Sequence, residues 1–275
     1  MLKDCTVCPR KCHVDRTAGK RGYCGMTDKV VIASAGPHFG EEPPLVGCHG
    51  SGTIFLCGCN LLCSFCQNYD ISHNQSGRIV DTGDIVSAMQ RLEESGCHNI
   101  NFVTPTHFTP QLMKAIAAAR KDGLKAPIVY NCGGYESLEM LRLLEGFVEI
   151  YMPDFKFASP DLAARYCNAA DYPEVAKAAL KEMHRQVGDL ALDEDGIATR
   201  GLLIRHLVMP GHVEDSKKII DFIAGEISRD SYVNVMDQYR PCGEAYKTPE
   251  INRPLGSGEF HIVFEYAVSR GLRLA

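Results

Sequence analysis

Of the thirteen cysteines in this 275-residue chain, three crowd one short stretch: Cys59, Cys63 and Cys66, spaced C-x3-C-x2-C. Directly before them, Thr53 to Leu56 is an apolar run that reads as a short buried strand. The thiols therefore sit on a loop leaving the carboxyl end of that strand. Three thiolates on so short a loop can hold three corners of a cubane [4Fe–4S] cluster, whereas a closed cluster takes four cysteines. The fourth iron is then left for something other than protein, and open coordination positions are where substrates and cofactors bind. Two plainer readings compete, a structural zinc site and cysteines packed as small apolar groups. Zinc sites commonly pair two C-x2–4-C knuckles, and only one such compact group occurs here. Cys57 lies two before Cys59, outside the spacing, and reads as the end of the strand.

The spacing C-x3-C-x-aromatic-C, with Phe65 as the aromatic, resembles the radical S-adenosylmethionine (SAM) superfamily. That resemblance implies that the amino and carboxylate groups of SAM chelate the open iron. An electron from the reduced cluster then splits a C–S bond and yields a 5'-deoxyadenosyl radical for hydrogen abstraction. It also implies Phe65 packing near the adenine.

What must position such a loop is legible in the rhythm that follows. Asp84 to Glu94 places Ile85, Met89 and Leu92 at helical spacing before Gly96. Asn99 to Thr104 reads as a strand, and Thr109-Pro110 opens a helix that runs to Gly123. Pro127 to Asn131, Phe147 to Met152, Leu202 to Val208 and Tyr232 to Met236 supply further strands, with helical sequence between. Alternation at this period makes right-handed βαβ units on a parallel sheet. Six strands counted from Thr53 fall short of the eight that close a TIM barrel. The fold class is α/β, a partial (β/α)6 TIM-type barrel with an N-terminal cysteine-rich segment. Residues 1–50 form that segment and 51–275 the barrel, with 159–200 an insertion on the ligand side that includes a hairpin at Asp195-Gly196.

Ligands of such sheets lie beyond the carboxyl ends of the strands, so polar residues there are the first candidates. Thr104-Pro-Thr-His107 follows the second strand, where radical SAM enzymes carry Gly-Gly-Glu; the threonine hydroxyls of Thr104 and Thr106, or backbone carbonyls, take the place of that motif. A plain helix start is the competing reading for Thr106 and His107. Asn131 and Cys132 end the third strand beside paired glycines, and Cys132 reads either as a reactive group or as inert packing. Asp154 and Lys156 share one face of an extended chain, as an ion pair or as a seat for a zwitterion. They resemble the Asp-x-Lys of pyruvate formate-lyase activating enzyme, and Arg205 with Pro210-Gly211 resembles its Arg-x4-Pro-Gly. A guanidinium there can fork onto the SAM carboxylate or ribose. Cys-Pro-Arg, Gly-Ser-Gly-Thr-Ile-Phe, Cys-Gln-Asn-Tyr and Met-Asp-Gln-Tyr-Arg-Pro together resemble the uncharacterised iron–sulfur proteins that are similar to that enzyme.

A second group, Cys5, Cys8, Cys12 and Cys24, has enough thiols to close a metal site. Its spacing C-x2-C-x3-C-x11-C suits a second iron–sulfur cluster or a tetrahedral zinc. A formal charge of −5 argues against a nucleic-acid partner. No apolar run reaches the ~18 residues of a membrane span, and the first residues do not read as a secretory signal. Many cysteines without an export signal point to metal ligation in a low-oxygen or anaerobic cytoplasm. The resemblance implies reduced ferredoxin or flavodoxin as electron donor. It leaves three functions open: activation of a glycyl-radical enzyme, radical chemistry on a small molecule or cofactor, and, with no catalysis at all, electron transfer.

Overall fold

A run such as Ile128-Val-Tyr-Asn-Cys132, buried at every position, is stable only in a sheet covered on both faces. The computed structural model, which describes residues 1–275, supplies that cover. In chain order the strands are β1 Val30–His38, β2 Ser51–Leu56, β3 Arg78–Val80, β4 Ile100–Val103, β5 Ile128–Cys132, β6 Ile150–Pro153, β7 Ala191–Leu192, β8 Ala198–Leu207, β9 Tyr232–Met236 and β10 Arg273–Leu274. The helices are α1 Pro43–Val46, α2 Tyr69–Ser72, α3 Thr82–Glu94, α4 Thr109–Lys121, α5 Leu138–Leu144, α6 Pro160–Cys167, α7 Tyr172–Val187, α8 Val213–Phe222 and α9 Ser257–Ser269. None is long and apolar enough to cross a membrane.

Strands β2, β4, β5, β6, β8 and β9 lie side by side and parallel. The sheet does not close. Antiparallel β1 and β3 continue it past β2, and the short β10 continues it past β9. The result is an open, partial (β/α)6 barrel. Its helices start where the sequence signals them: Asp81 and Asp84 form a reciprocal cap on α3, and Pro110 stands in the first turn of α4.

Two expectations about organisation change. The seam at residue 50 is not a break, because β1 pairs with β2 from Ile32↔Leu56 to His38↔Ser51. Between those strands, α1 pushes Leu45 into the barrel, where it packs in one buried cluster with Val129, Ile150, Met152 and Leu203. Burying a leucine there contributes about 1.5–3 kcal/mol. Nor does 159–200 lie wholly on the ligand side. Helix α7 is an ordinary crossover, packed on α5, β6 and β8. The hairpin pairs Ala191 with Arg200 and Leu192 with Ala198, ahead of the point where β8 joins β6 at Gly201, so it hangs from the amino end of β8. A strand-length hydrophobic pattern gives a hairpin its register but not the end of the barrel on which it sits.

Candidate active site

The carboxyl ends of the six parallel strands surround one cavity, and Cys59, Cys63 and Cys66 all line it. The loop that carries them leaves β2 through Gly58, at φ 81°, a left-handed turn that favours glycine. Space demands glycine too, since a Cβ there would lie 2.7 Å from the Cys24 carbonyl oxygen. Asn60 fixes the loop's other side, its side-chain amide donating to the Tyr135 carbonyl at 2.7 Å. Each sulfur has a partner. The Leu61 N–H donates to Cys59 at 3.4 Å and the Ser72 hydroxyl to Cys66 at 3.2 Å, while Cys63 and Cys167 touch sulfur to sulfur at 3.3 Å. Burial pushes the Cys59 thiol up to about 12 and raises Cys66 as well. As free thiols all three are weak nucleophiles; a bound cation that displaces their protons makes them ligands.

Opposite the thiols is a polar floor. Lys156 Nζ lies 2.5 Å from Asp154, and Arg205 Nε donates to the other Asp154 oxygen at 2.9 Å. Burial works to raise the Asp154 carboxyl, yet Arg205 and Lys156 beside it hold it below the usual range. Arg205 Nη2 donates to Asn131 Oδ1 at 2.8 Å, and Nη1 reaches Glu41 at 3.4 Å and Glu42 at 3.7 Å. Burial pushes Glu41 up to about 7, against the pull of Arg205.

Above the floor, Thr104 is held at φ 59° at the end of β4, an uncommon conformation for a β-branched residue and one found where a backbone is clamped for use. Phe65 lines the cavity with its other sides walled by Phe157, Tyr166 and Tyr239.

The profile of the Radical SAM superfamily matches residues 53–223, more than half of the chain and all of the cysteine loop. The chain belongs to the radical SAM superfamily. Over its full length it is 33% identical to the uncharacterized protein MJ0674 of Methanocaldococcus jannaschii, covering 77% of that protein. MJ0808 of the same organism is 24% identical over 82% of this chain and 68% of its own. Among solved structures, Streptococcus suis SuiB superimposes with a TM-score of 0.51 at 13% identity, a likeness of fold. The match covers 79% of this chain and 46% of SuiB, so this chain spans under half of SuiB's length. Membership implies SAM and an iron–sulfur cluster, typically [4Fe–4S], and enzymatic radical chemistry.

The residues present fit such a group: three sulfurs, of buried Cys63 and half-buried Cys59 and Cys66, open on one cavity, each with a partner, and a charged floor shares that cavity. Thr104, Asn131, Asp154, Lys156, Arg205 and Cys132 join them in its lining. Two expectations for this radical SAM site change on inspection, and a third is qualified. Thr106 turns away, its hydroxyl donating to Glu136 at 2.6 Å, because a buried hydroxyl needs a partner and the nearest is a buried carboxylate. Arg205 directs one N–H from each of its three nitrogens to Asp154, Asn131 and Glu41, which leaves one N–H on each terminal nitrogen at the cavity. It also positions Asp154. Cys132 is the packed thiol, raised by burial first and by the nearby Glu136 second.

Glu136, Glu41, Glu42 and Cys167 escape sequence reasoning. They are single polar or sulfur-bearing residues without a periodic partner, brought to the site from turns and from the end of α6.

The N-terminal cysteines dock against this rim through Arg10. Its Nε donates to the Asn60 carbonyl at 2.8 Å, Nη1 to Asn168 at 2.6 Å and Nη2 to Cys167 at 3.1 Å, while its guanidinium stacks 3.9 Å from the Tyr23 ring centre. Cys5, Cys8 and Cys24 are buried and Cys12 half-buried.

Proposed function

We propose that this radical SAM enzyme binds its cluster through Cys59, Cys63 and Cys66 and uses it on the backbone glycine of a partner enzyme, as a glycyl-radical activase. The family's group supplies reductive cleavage of SAM to a 5'-deoxyadenosyl radical. The chain's own residues hold and orient. Asp154 and Lys156 form a paired charge able to seat the zwitterionic end of SAM, with Arg205, itself donating to Asn131, fixing Asp154 from behind. The Thr104 turn brings backbone close to the same space, and Phe65 offers an apolar wall for the adenine. Reduced ferredoxin or flavodoxin is the proposed electron donor.

One observation carries the choice of a protein substrate over a small one. No residue of 159–200, the segment expected to roof the cavity, contributes to its lining. A mouth free of that segment suits an extended chain, whose glycine Cα must come within about 4 Å of the reacting carbon. The test is anaerobic reconstitution, reduction with dithionite and addition of SAM, read as 5'-deoxyadenosine and methionine. Cleavage by the wild type and none by the Cys59→Ala/Cys63→Ala/Cys66→Ala variant is expected; a cluster-loaded protein that leaves SAM intact returns the electron-transfer reading. With extract from cells grown on α-deuterated glycine, the macromolecular fraction should pass deuterium into 5'-deoxyadenosine. Transfer from the small-molecule filtrate alone overturns the activase in favour of small-molecule chemistry.

A further inference from the structure

We propose that Cys5, Cys8, Cys12 and Cys24 hold a second, closed [4Fe–4S] cluster rather than a zinc ion. Residues 1–25 contain no strand and no helix beyond the 3-10 turn Arg16–Ala18; Cys5 packs beside Val7 and Met140 and Cys24 against the barrel core, while Cys8 is buried outside both apolar clusters. All four are free, and three are nonetheless buried.

Their surroundings suit anionic sulfur. The Tyr23 N–H donates to Cys12 at 3.2 Å, and the Arg16 guanidinium stands 3.9 Å from Cys5. A neutral thiol is a weak acceptor that does not need such a donor; a metal-bound thiolate does.

Arg16 makes the same case from the other side. It is 0% exposed, and its hydrogen bonds go to the carbonyls of Thr27 and His107, with no carboxylate paired to it. A buried guanidinium without a counter-charge is costly, by several kcal/mol. The neighbouring groups able to become anions are the Cys5 and Cys24 sulfurs, and metal-bound thiolates would balance it. The loop itself is clamped: Lys11 and His13, either side of Cys12, are both left-handed at φ 41° and 55°. Each costs of order 1–3 kcal/mol and persists only when its surroundings impose it.

The geometry selects the cluster over zinc. A tetrahedral zinc draws four sulfurs onto one point at ~2.3 Å, whereas each thiolate of a cubane holds a separate iron. No three Cys, His, Asp or Glu side chains of this molecule converge as a single ion requires. A Cβ on Gly22 would stand 3.5 Å from the Cys12 sulfur and 3.7 Å from that of Cys24, ordinary contact distances, so both sulfurs border the same point.

Iron, sulfide and zinc counts on the anaerobically reconstituted full chain test this. About eight irons are expected in the wild type and about four in Cys8→Ala. About four are also expected in the Cys59/Cys63/Cys66 triple alanine variant, with the residual cluster still reducible by EPR. One zinc with about four irons in the wild type, the zinc lost in Cys8→Ala, overturns the proposal. So does Cys8→Ala with unchanged metal. Should Cys8→Ala fail to fold, Cys12→Ser at the half-exposed position replaces it, with the same expected loss. Full iron in the triple variant would instead refute the assignment of the first cluster, so the two failures read differently.

Discussion

Cys59, Cys63 and Cys66 stand where a parallel strand ends, on a loop whose shape is set by the barrel beneath it. Cys5, Cys8, Cys12 and Cys24 stand on turns that almost no regular structure supports. The first group faces a cavity; the second faces its own backbone. The barrel core would survive the loss of the three, because strand pairing and packing hold that rim. The four have no such scaffold, so the metal we propose for them is part of what folds the segment. Openness and structural dependence on metal thus run in opposite directions in this one chain.

Stripping metal should separate the two regions most strongly. After chelation, trypsin should cut within residues 10–21 faster by roughly a hundredfold, while the barrel stays protected. Equal protection with and without metal would show that the N-terminal segment holds itself.

A smaller break is Arg16→Met. It removes charged hydrogen bonds to one buried and one half-buried carbonyl and should cost about 3 kcal/mol, seen as a fall in Tm of roughly 6–12 °C. Ser72→Ala beside the open site should lower stability by less than about 1 kcal/mol. Equal shifts for the two variants would erase the contrast.

A pH-dependent effect concerns Glu136, which lies between the regions, within electrostatic reach of both Cys8 and Cys132. Burial pushes its carboxyl up to about 7 from an ordinary 4.5, with Thr106 and Tyr130 donating in partial compensation. The folded state keeps a proton that the unfolded chain has already released. Stability from this group is therefore full below pH 4.5, declines as pH rises to about 7, and is level above. Glu41 titrates in the same window. His107 and His206, lowered by burial to about 3 and about 4, titrate against this trend, so Glu136→Gln should make the slope of unfolding free energy more positive by up to about 1.4 kcal/mol per pH unit, read by urea titration at several pH values. An unchanged slope would mean that Glu136 is ionised throughout.

The barrel was legible because its signals are periodic. Apolar runs such as Ile100–Val103 and Ile128–Cys132, each followed by a glycine-stopped helix, leave few other arrangements. The three-cysteine loop was legible because its ligands are close in sequence. What stayed hidden depends on partners far apart in the chain. Nothing at Thr106 announces Glu136, nothing at Arg205 announces Glu41, and nothing at Cys63 announces Cys167. A side chain's spare hydrogen bonds are filled by whichever distant group folding delivers, and one sequence does not encode that choice in spacing. Leu45 was hidden for the same reason, since a turn-rich stretch reads as surface until the barrel it plugs exists.

Arg10 also sets a timetable. Its three carbonyl acceptors belong to Asn60, Cys167 and Asn168. As the chain is synthesised, the first cysteines emerge long before the last two of those carbonyls do. The docking seen here cannot be completed until residue 168 has been made. The N-terminal thiols therefore spend most of translation undocked, exposed to oxidants and to mispairing with the cysteines that follow them. Whatever delivers iron and sulfide meets either a waiting nascent segment or a finished chain. Comparing cluster loading of ribosome-bound chains ending before and after that residue would show which.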